Sequence, residues 1–175
     1  MKLALKTPII ALRLLAFSTI AMLYSQSALA GATVDRMPIV TMGSGEAKLV
    51  RNDNQLSVSG RATDLIPGNT YTVWWIVTDS SGLVVINATG GIANAAGEFG
   101  FGGALQTGDY EPGETTPRFV LVGGSLVDPL NATVVLHVVD HGPPMPGSIP
   151  AQISEISPAG CPVGCKLHTE MIFAP

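Results

Sequence analysis

The residues whose types and spacing could do chemistry lie late in the chain. Cys161 and Cys165 are its two cysteines, and His137, His141 and His168 are its three histidines. An even count of close cysteines in an oxidising compartment favours a disulfide. Cys161-Pro-Val-Gly-Cys165 closes so small a ring that loop entropy gives it only ~2 kcal/mol. A redox-active pair would need Cys-x-x-Cys at a helix N-terminus beside a βαβ unit, and the sequence has neither. Thiolate, imidazole and thioether groups also ligate soft metals, and Cys165, His168 and Met171 recur at intervals of three. His137 and His141 share a face of an extended strand but stand about 13 Å apart along it. One ion takes both only if the chain bends after Asp140. The plainer reading makes His137 a strand residue between Val135 and Val139, and stacks His141 on the prolines after it.

Oxygen chemistry is sparser. Asp109, Glu111 and Glu114 crowd one loop but lack the Gly and Asp/Asn positions of a dedicated calcium loop, so they read as a solvated acidic turn. No Gly-x-Ser-x-Gly, His-Glu-x-x-His or phosphate-cradling glycine loop occurs. Asp140 beside His141 looks like half a catalytic triad, but neighbours on a strand point to opposite faces. A secreted hydrolase using unassigned acids is the weakest reading. Asn87-Ala-Thr and Asn131-Ala-Thr fit glycosylation acceptors and are read as chance.

The elements that must position these groups are strands. Short β-branched runs near 46–51, 55–63, 70–78, 83–89, 98–105, 117–122, 132–140 and 169–173 alternate with Gly, Pro, Asn and Asp clusters. The run at 70–78 puts Tyr71, Val73, Trp75 and Val77 on one face and Thr72, Trp74 and Ile76 on the other. Apolar groups on both faces suit a central strand, or one covered by a loop. Leu56 and Val58 alternate with Ser57 and Ser59, as in a half-exposed strand. No stretch after residue 30 keeps an apolar period of 3.6. The expectation is an all-β fold, a single antiparallel β-sandwich of seven or eight strands, immunoglobulin-like or cupredoxin-like, with a closed barrel as the alternative. Long irregular pieces fall at 106–116 and 141–168, and a loop as long as the second is functional or pinned.

The spacing Cys165-Lys-Leu-His168-Thr-Glu-Met171 resembles the ligand loop of the cupredoxins, small exported blue-copper β-sandwiches. The resemblance implies copper held by Cys165, His168, Met171 and either His137 or His141, and electron transfer as the activity. More widely, Pro67-Gly68-Asn69-Thr70-Tyr71-Thr72 before Trp74-Trp75, His141-Gly142-Pro143, Pro146-Gly147, Gln152-Ile153 and Gly160-Cys161-Pro162 resemble a group of exported bacterial proteins of unknown function. That resemblance spans about 46–173 and implies secretion and an all-β domain but no activity.

Composition bounds the rest. Residues 1–30 carry Lys2, Lys6 and Arg13, an apolar run Leu14–Leu23 and then Ala28-Leu29-Ala30, the layout of a cleaved signal peptide. The expected organisation is signal peptide 1–30, flexible leader 31–45 and one β-sandwich domain 46–175. The apolar run is half the length of a spanning helix, so no stable membrane insertion is expected. The chain's 13 acidic residues all lie beyond residue 30, against 9 − 3 = 6 basic ones, so the mature net charge is −7. That balance excludes nucleic acid as a main partner. The sequence thus points to a soluble periplasmic or extracellular domain, without a cofactor, that binds or supports an unknown protein or small molecule. The loop residues His141, Pro143, Pro146 and Gln152 would make the contact.

Overall fold

The computed structural model describes residues 32–35, 38–115 and 118–175. The expected signal peptide and its cleavage point lie outside them. The unit spanning 31–175 is all-β and antiparallel. Its strands are β1 (Thr33–Asp35), β2 (Ile39–Met42), β3 (Ser44–Asn52), β4 (Gln55–Thr63), β5 (Thr70–Asp79), β6 (Gly82–Ile92), β7 (Phe99–Gln106), β8 (Gly108–Tyr110), β9 (Val120–Val122), β10 (Gly124–Leu126), β11 (Thr133–Asp140) and β12 (Lys166–Phe173). Among the described residues helix is confined to a 3₁₀ turn at Pro129–Asn131 and one α turn, α1 (Ile149–Gln152). No helix among the described residues is long and apolar enough to cross a membrane.

All eight expected strands are present, with four more. β1 and β2 fall inside 31–45, the segment read as a leader, where they pair with β3 and β12. β8 and β10 pair with each other in the stretch around 106–126. Each has only three or four residues, too few to show an apolar alternation.

One sheet has the order β1-β3-β4-β7 and a larger one β2-β12-β11-β5-β6-β9. Their apolar faces feed one hydrophobic cluster. The first gives Leu49, Leu56, Val58 and Phe101, the second Val73, Trp75, Leu136 and Met171. Each such side chain taken from water is worth ~1.5–3 kcal/mol. Alternation sets the pattern: in β4, buried Leu56 and Val58 are separated by Ser57 and followed by exposed Ser59.

Turn chemistry closes the hairpins. Asn52 pairs with Gln55 across Asp53-Asn54, and the Asn52 side chain accepts the Asn54 amide (3.1 Å). Asp79 pairs with Gly82 across Ser80-Ser81. One Asp79 oxygen accepts the Ser81 amide (2.8 Å), and the other accepts the amides of Val127 (2.7 Å) and Asp128 (2.8 Å), tying the hairpin to the β10 exit. Burial pushes its pKa up, but the hydrogen bond from the Ser81 hydroxyl, followed by these amide bonds, outweighs it and holds the carboxyl at about 2.

A buried cation completes the frame. Arg51, at the end of β3, is 2% exposed. Its Nε donates to Asp35 on β1 (2.7 Å), and its other nitrogens donate to the carbonyls of Pro129, Ala132, Phe173 and Ala174. Five acceptors satisfy a charge that would otherwise be costly to bury.

Candidate functional site

The second face of β5 is covered. Thr72 and Trp74 point away from the core cluster, yet both are buried, under the chain that leaves β11 at His141 and returns at Lys166. One glycine, Gly90, lets this cap approach the sheet, and another, Gly160, lets it fold on itself. A Cβ built on Gly90 of β6 would collide with the Ile153 carbonyl, and one on Gly160 with the carbonyls of Glu155 and Ala151. Trp74 also meets Phe119 edge-on, ring centroids 6.0 Å apart.

Gln152, fully buried at the end of α1, folds the cap from within. Its Oε1 accepts the Met145 amide (2.9 Å) and its Nε2 donates to the carbonyls of Pro143 (3.1 Å) and His141 (3.4 Å). His141, 0% exposed, fastens the cap to the sheet. Its Nε2 lies 2.8 Å from Thr72 Oγ1, and its Nδ1 lies 2.7 Å from the Gly160 carbonyl oxygen. Trp74 Nε1 donates to the same Thr72 hydroxyl (2.8 Å).

The donor inventory orders this chain. The indole can only donate and the Gly160 carbonyl can only accept, so a neutral His141 ring leaves Nε2 as acceptor for the Thr72 hydroxyl, which itself accepts from Trp74. The ring then carries its proton on Nδ1 and gives it to the Gly160 carbonyl. Such a neutral imidazole agrees with its electrostatics. Burial pushes the His141 pKa below its ordinary value, against the opposing pull of the Gly160 carbonyl and Asp140.

Cys161 and Cys165 are joined in a disulfide on the same side of the ring. Cys165 Sγ lies 3.1 Å from His141 Nδ1 and Cys161 Sγ 3.8 Å from it. The nitrogen and both sulfurs fall within 4.8 Å of one another. A disulfide here fits an oxidising environment.

The structure divides the expected metal ligands. His141 and Cys165 come together, joined by Cys161. Met171 is wholly buried in the core cluster. His168 stands edge-on to Tyr71 at 6.0 Å, its Nε2 buried with no hydrogen-bond partner among the described residues. His137 bonds Glu170 across β11 and β12 (Nε2 to Oε2, 2.8 Å). Glu170 also accepts from the Thr41 hydroxyl, and these two partners, Thr41 foremost, hold its pKa below the usual value.

Asp140 turns away from His141, as alternation requires. It accepts from Asn69 Nδ2 (3.1 Å) and from the Gly142 amide (2.7 Å). It sits by Tyr71, whose phenol is raised to about 12, chiefly by burial. Of the expected contact residues, His141 and Gln152 are internal, while Pro143 and Pro146 face solvent. In the acidic loop, Asp109 accepts from the Ser125 hydroxyl (2.5 Å), and Glu111 and Glu114 are exposed. Asp109 and Glu114 line a cavity of about 270 Å³ with Tyr110 and Arg118. The sequence reading missed that cavity, and also Thr72 as the link between Trp74 and His141. The signal for the link was the burial implied by apolar residues on both faces of β5.

Comparison of the chain with protein-family models, with curated proteins and with solved structures finds no match.

Proposed function

We propose that this chain is an exported binding or structural domain, a single β-sandwich without catalytic activity, whose contact surface is the outside of the 141–165 cap. The observation that carries this reading is the use made of the chemically capable side chains. His141, Gln152, Thr72 and the Cys161–Cys165 disulfide all spend their polar groups on holding the cap to the sheet. What the cap turns outward is stiff and apolar: Pro143, Pro146, Pro158, Pro162 and Val163, the last 65% exposed. A rigid scaffold presenting a pinned, proline-rich loop suits recognition, because little entropy remains to be lost on binding.

The test is in-cell photo-crosslinking with a photoreactive residue at position 163, compared with one at exposed Leu83. A discrete adduct from 163 alone supports the reading. Adducts from both positions or from neither would overturn it.

One observation favours a copper electron-transfer reading, the approach of His141 Nδ1 to Cys165 Sγ. That reading needs Cys165 as a free thiolate and Met171 withdrawn from the core. An intense visible band on adding Cu²⁺ to the unreduced protein, lost in Cys165→Ser, would establish it.

A further inference from the structure

We propose that reduction of the Cys161–Cys165 disulfide converts the clip into a zinc site formed by both thiolates and His141 Nδ1. The inference does not rest on what the outside of the cap binds. Three observations carry it.

The first is distance. With Zn–S near 2.3 Å and Zn–N near 2.0–2.1 Å, tetrahedral geometry sets ligand sulfur and nitrogen about 3.6 Å apart. The two sulfurs already stand 3.1 and 3.8 Å from His141 Nδ1, on either side of that value. Once the S–S bond is broken, small side-chain rotations open the sulfur pair and the imidazole need not move, while the Gly160 carbonyl, 2.7 Å from Nδ1, gives up its hydrogen bond and turns aside to admit the metal.

The second is support behind the ligand. A ligating imidazole needs a hydrogen-bond partner on its other nitrogen to fix tautomer and orientation. His141 has one in Thr72, 2.8 Å from Nε2. When Nδ1 takes the metal, the ring proton passes to Nε2, and Thr72 Oγ1 accepts it with its second lone pair while still accepting from Trp74.

The third is access and charge. His141 is fully buried, but Cys161 and Cys165 are only partly so, and they open the site towards solvent on their side. Two thiolates cancel the charge of a divalent closed-shell ion, and three protein ligands leave a fourth position for water.

The steps balance. A dithiol donor gives two electrons and two protons to the Cys161–Cys165 bond and is itself oxidised to a disulfide. Zn²⁺ then displaces one proton from each thiol, forms two Zn–S bonds and one Zn–N bond, and two protons leave to solvent. The cap keeps a cross-link in both states.

The experiment uses the full secreted chain, reduced with a phosphine and held free of oxygen. Zn²⁺ is titrated in competition with a chromophoric chelator, and Co²⁺ is added in parallel. The expected result is one zinc per reduced chain, no comparable binding by the oxidised chain, and an intense thiolate-to-cobalt band. Losing a ligand in Cys161→Ser or Cys165→Ser is expected to weaken binding by more than the roughly 10–100-fold that loss of an outer-shell partner costs. Two measurements need no variant: the cobalt band, and zinc protection of both thiols from alkylation in the reduced wild type. No zinc uptake on reduction, a cobalt spectrum without the thiolate band, or equal binding by the serine variants would overturn the proposal.

Discussion

Trp74 and Trp75, consecutive on β5, are buried on opposite faces of one sheet. Trp75 lies in the hydrophobic cluster shared by both large sheets, while Trp74 lies outside it, edge-on to Phe119 and tied through the Thr72 hydroxyl to His141 of the cap. The two indoles therefore report on different layers, and the cap can be followed separately from the core.

Gly90→Ala is expected to lift the cap while leaving the sheets paired, because the added Cβ has no space beneath the Ile153 carbonyl. Indole emission should shift to the red and acrylamide quenching should rise. Both changes should vanish when Trp74→Phe is added. Emission that stays at the wild-type position in Gly90→Ala would contradict this account of the cap.

Thr72→Val keeps shape but removes the hydroxyl between Trp74 Nε1 and His141 Nε2. Each buried group left without a partner costs about 1–3 kcal/mol. Thr72→Ser, which retains the hydroxyl, should lose much less. Denaturant midpoints for the pair check this, and equal stabilities would remove the hydroxyl from the explanation.

Stability should fall on acidification in two stages. The folded His141 pKa lies below its ordinary value of 6.5, so the unfolded chain binds a proton that the buried ring refuses. Its contribution is complete above pH 6.5 and is lost as pH drops through that value towards the folded one. Glu170 and Asp79, both depressed, add the same sign at lower pH: each is fully stabilising above its ordinary value, and Asp79 gives way only towards about pH 2. Urea unfolding at pH 7 and pH 5 measures the first stage. A midpoint that stays level or climbs at pH 5 would contradict the neutral, buried His141.

Arg51→Ala should be strongly destabilising, since it removes a buried guanidinium and leaves the carbonyls of Pro129, Ala132, Phe173 and Ala174 without their donor, at about 1–3 kcal/mol for each that stays buried. Arg51→Lys keeps the charge but lacks the fork that reaches acceptors on both sides, and should recover only part of the loss. Full recovery by lysine would mean that charge alone matters.

Much of the frame was legible from residues. β4, β5 and β11 declare themselves through alternation, as in Leu56-Ser57-Val58, and through Asn, Asp and Gly clusters at the hairpins. The four short strands were not, because three residues such as Gly108–Tyr110 carry no period and pair only when a neighbour is in place. At the candidate site, the cysteine pairing followed from spacing and compartment. The burial of His141 did not, since it depends on Gly160, nineteen positions away, closing over a face of β5. Apolar groups on both faces said that something covers Trp74 without naming what. For the same reason, His141 and Gln152 looked from sequence like contact residues and turned out to be internal fasteners.

Arg51 sets a condition on the order in which the chain can mature. Its acceptors include Asp35, sixteen positions earlier, and Ala174, 123 positions later. A chain still emerging from a ribosome has Arg51 and the β3–β4 hairpin long before it has residues 173 and 174. Until they arrive, the guanidinium has carbonyl acceptors waiting to be made, and contacts so distant in sequence are the slow ones to close. The strand that ends at Phe173 thus acts as a latch, because the cation buried at the end of the β3–β4 hairpin is satisfied only once β12 has joined the larger sheet.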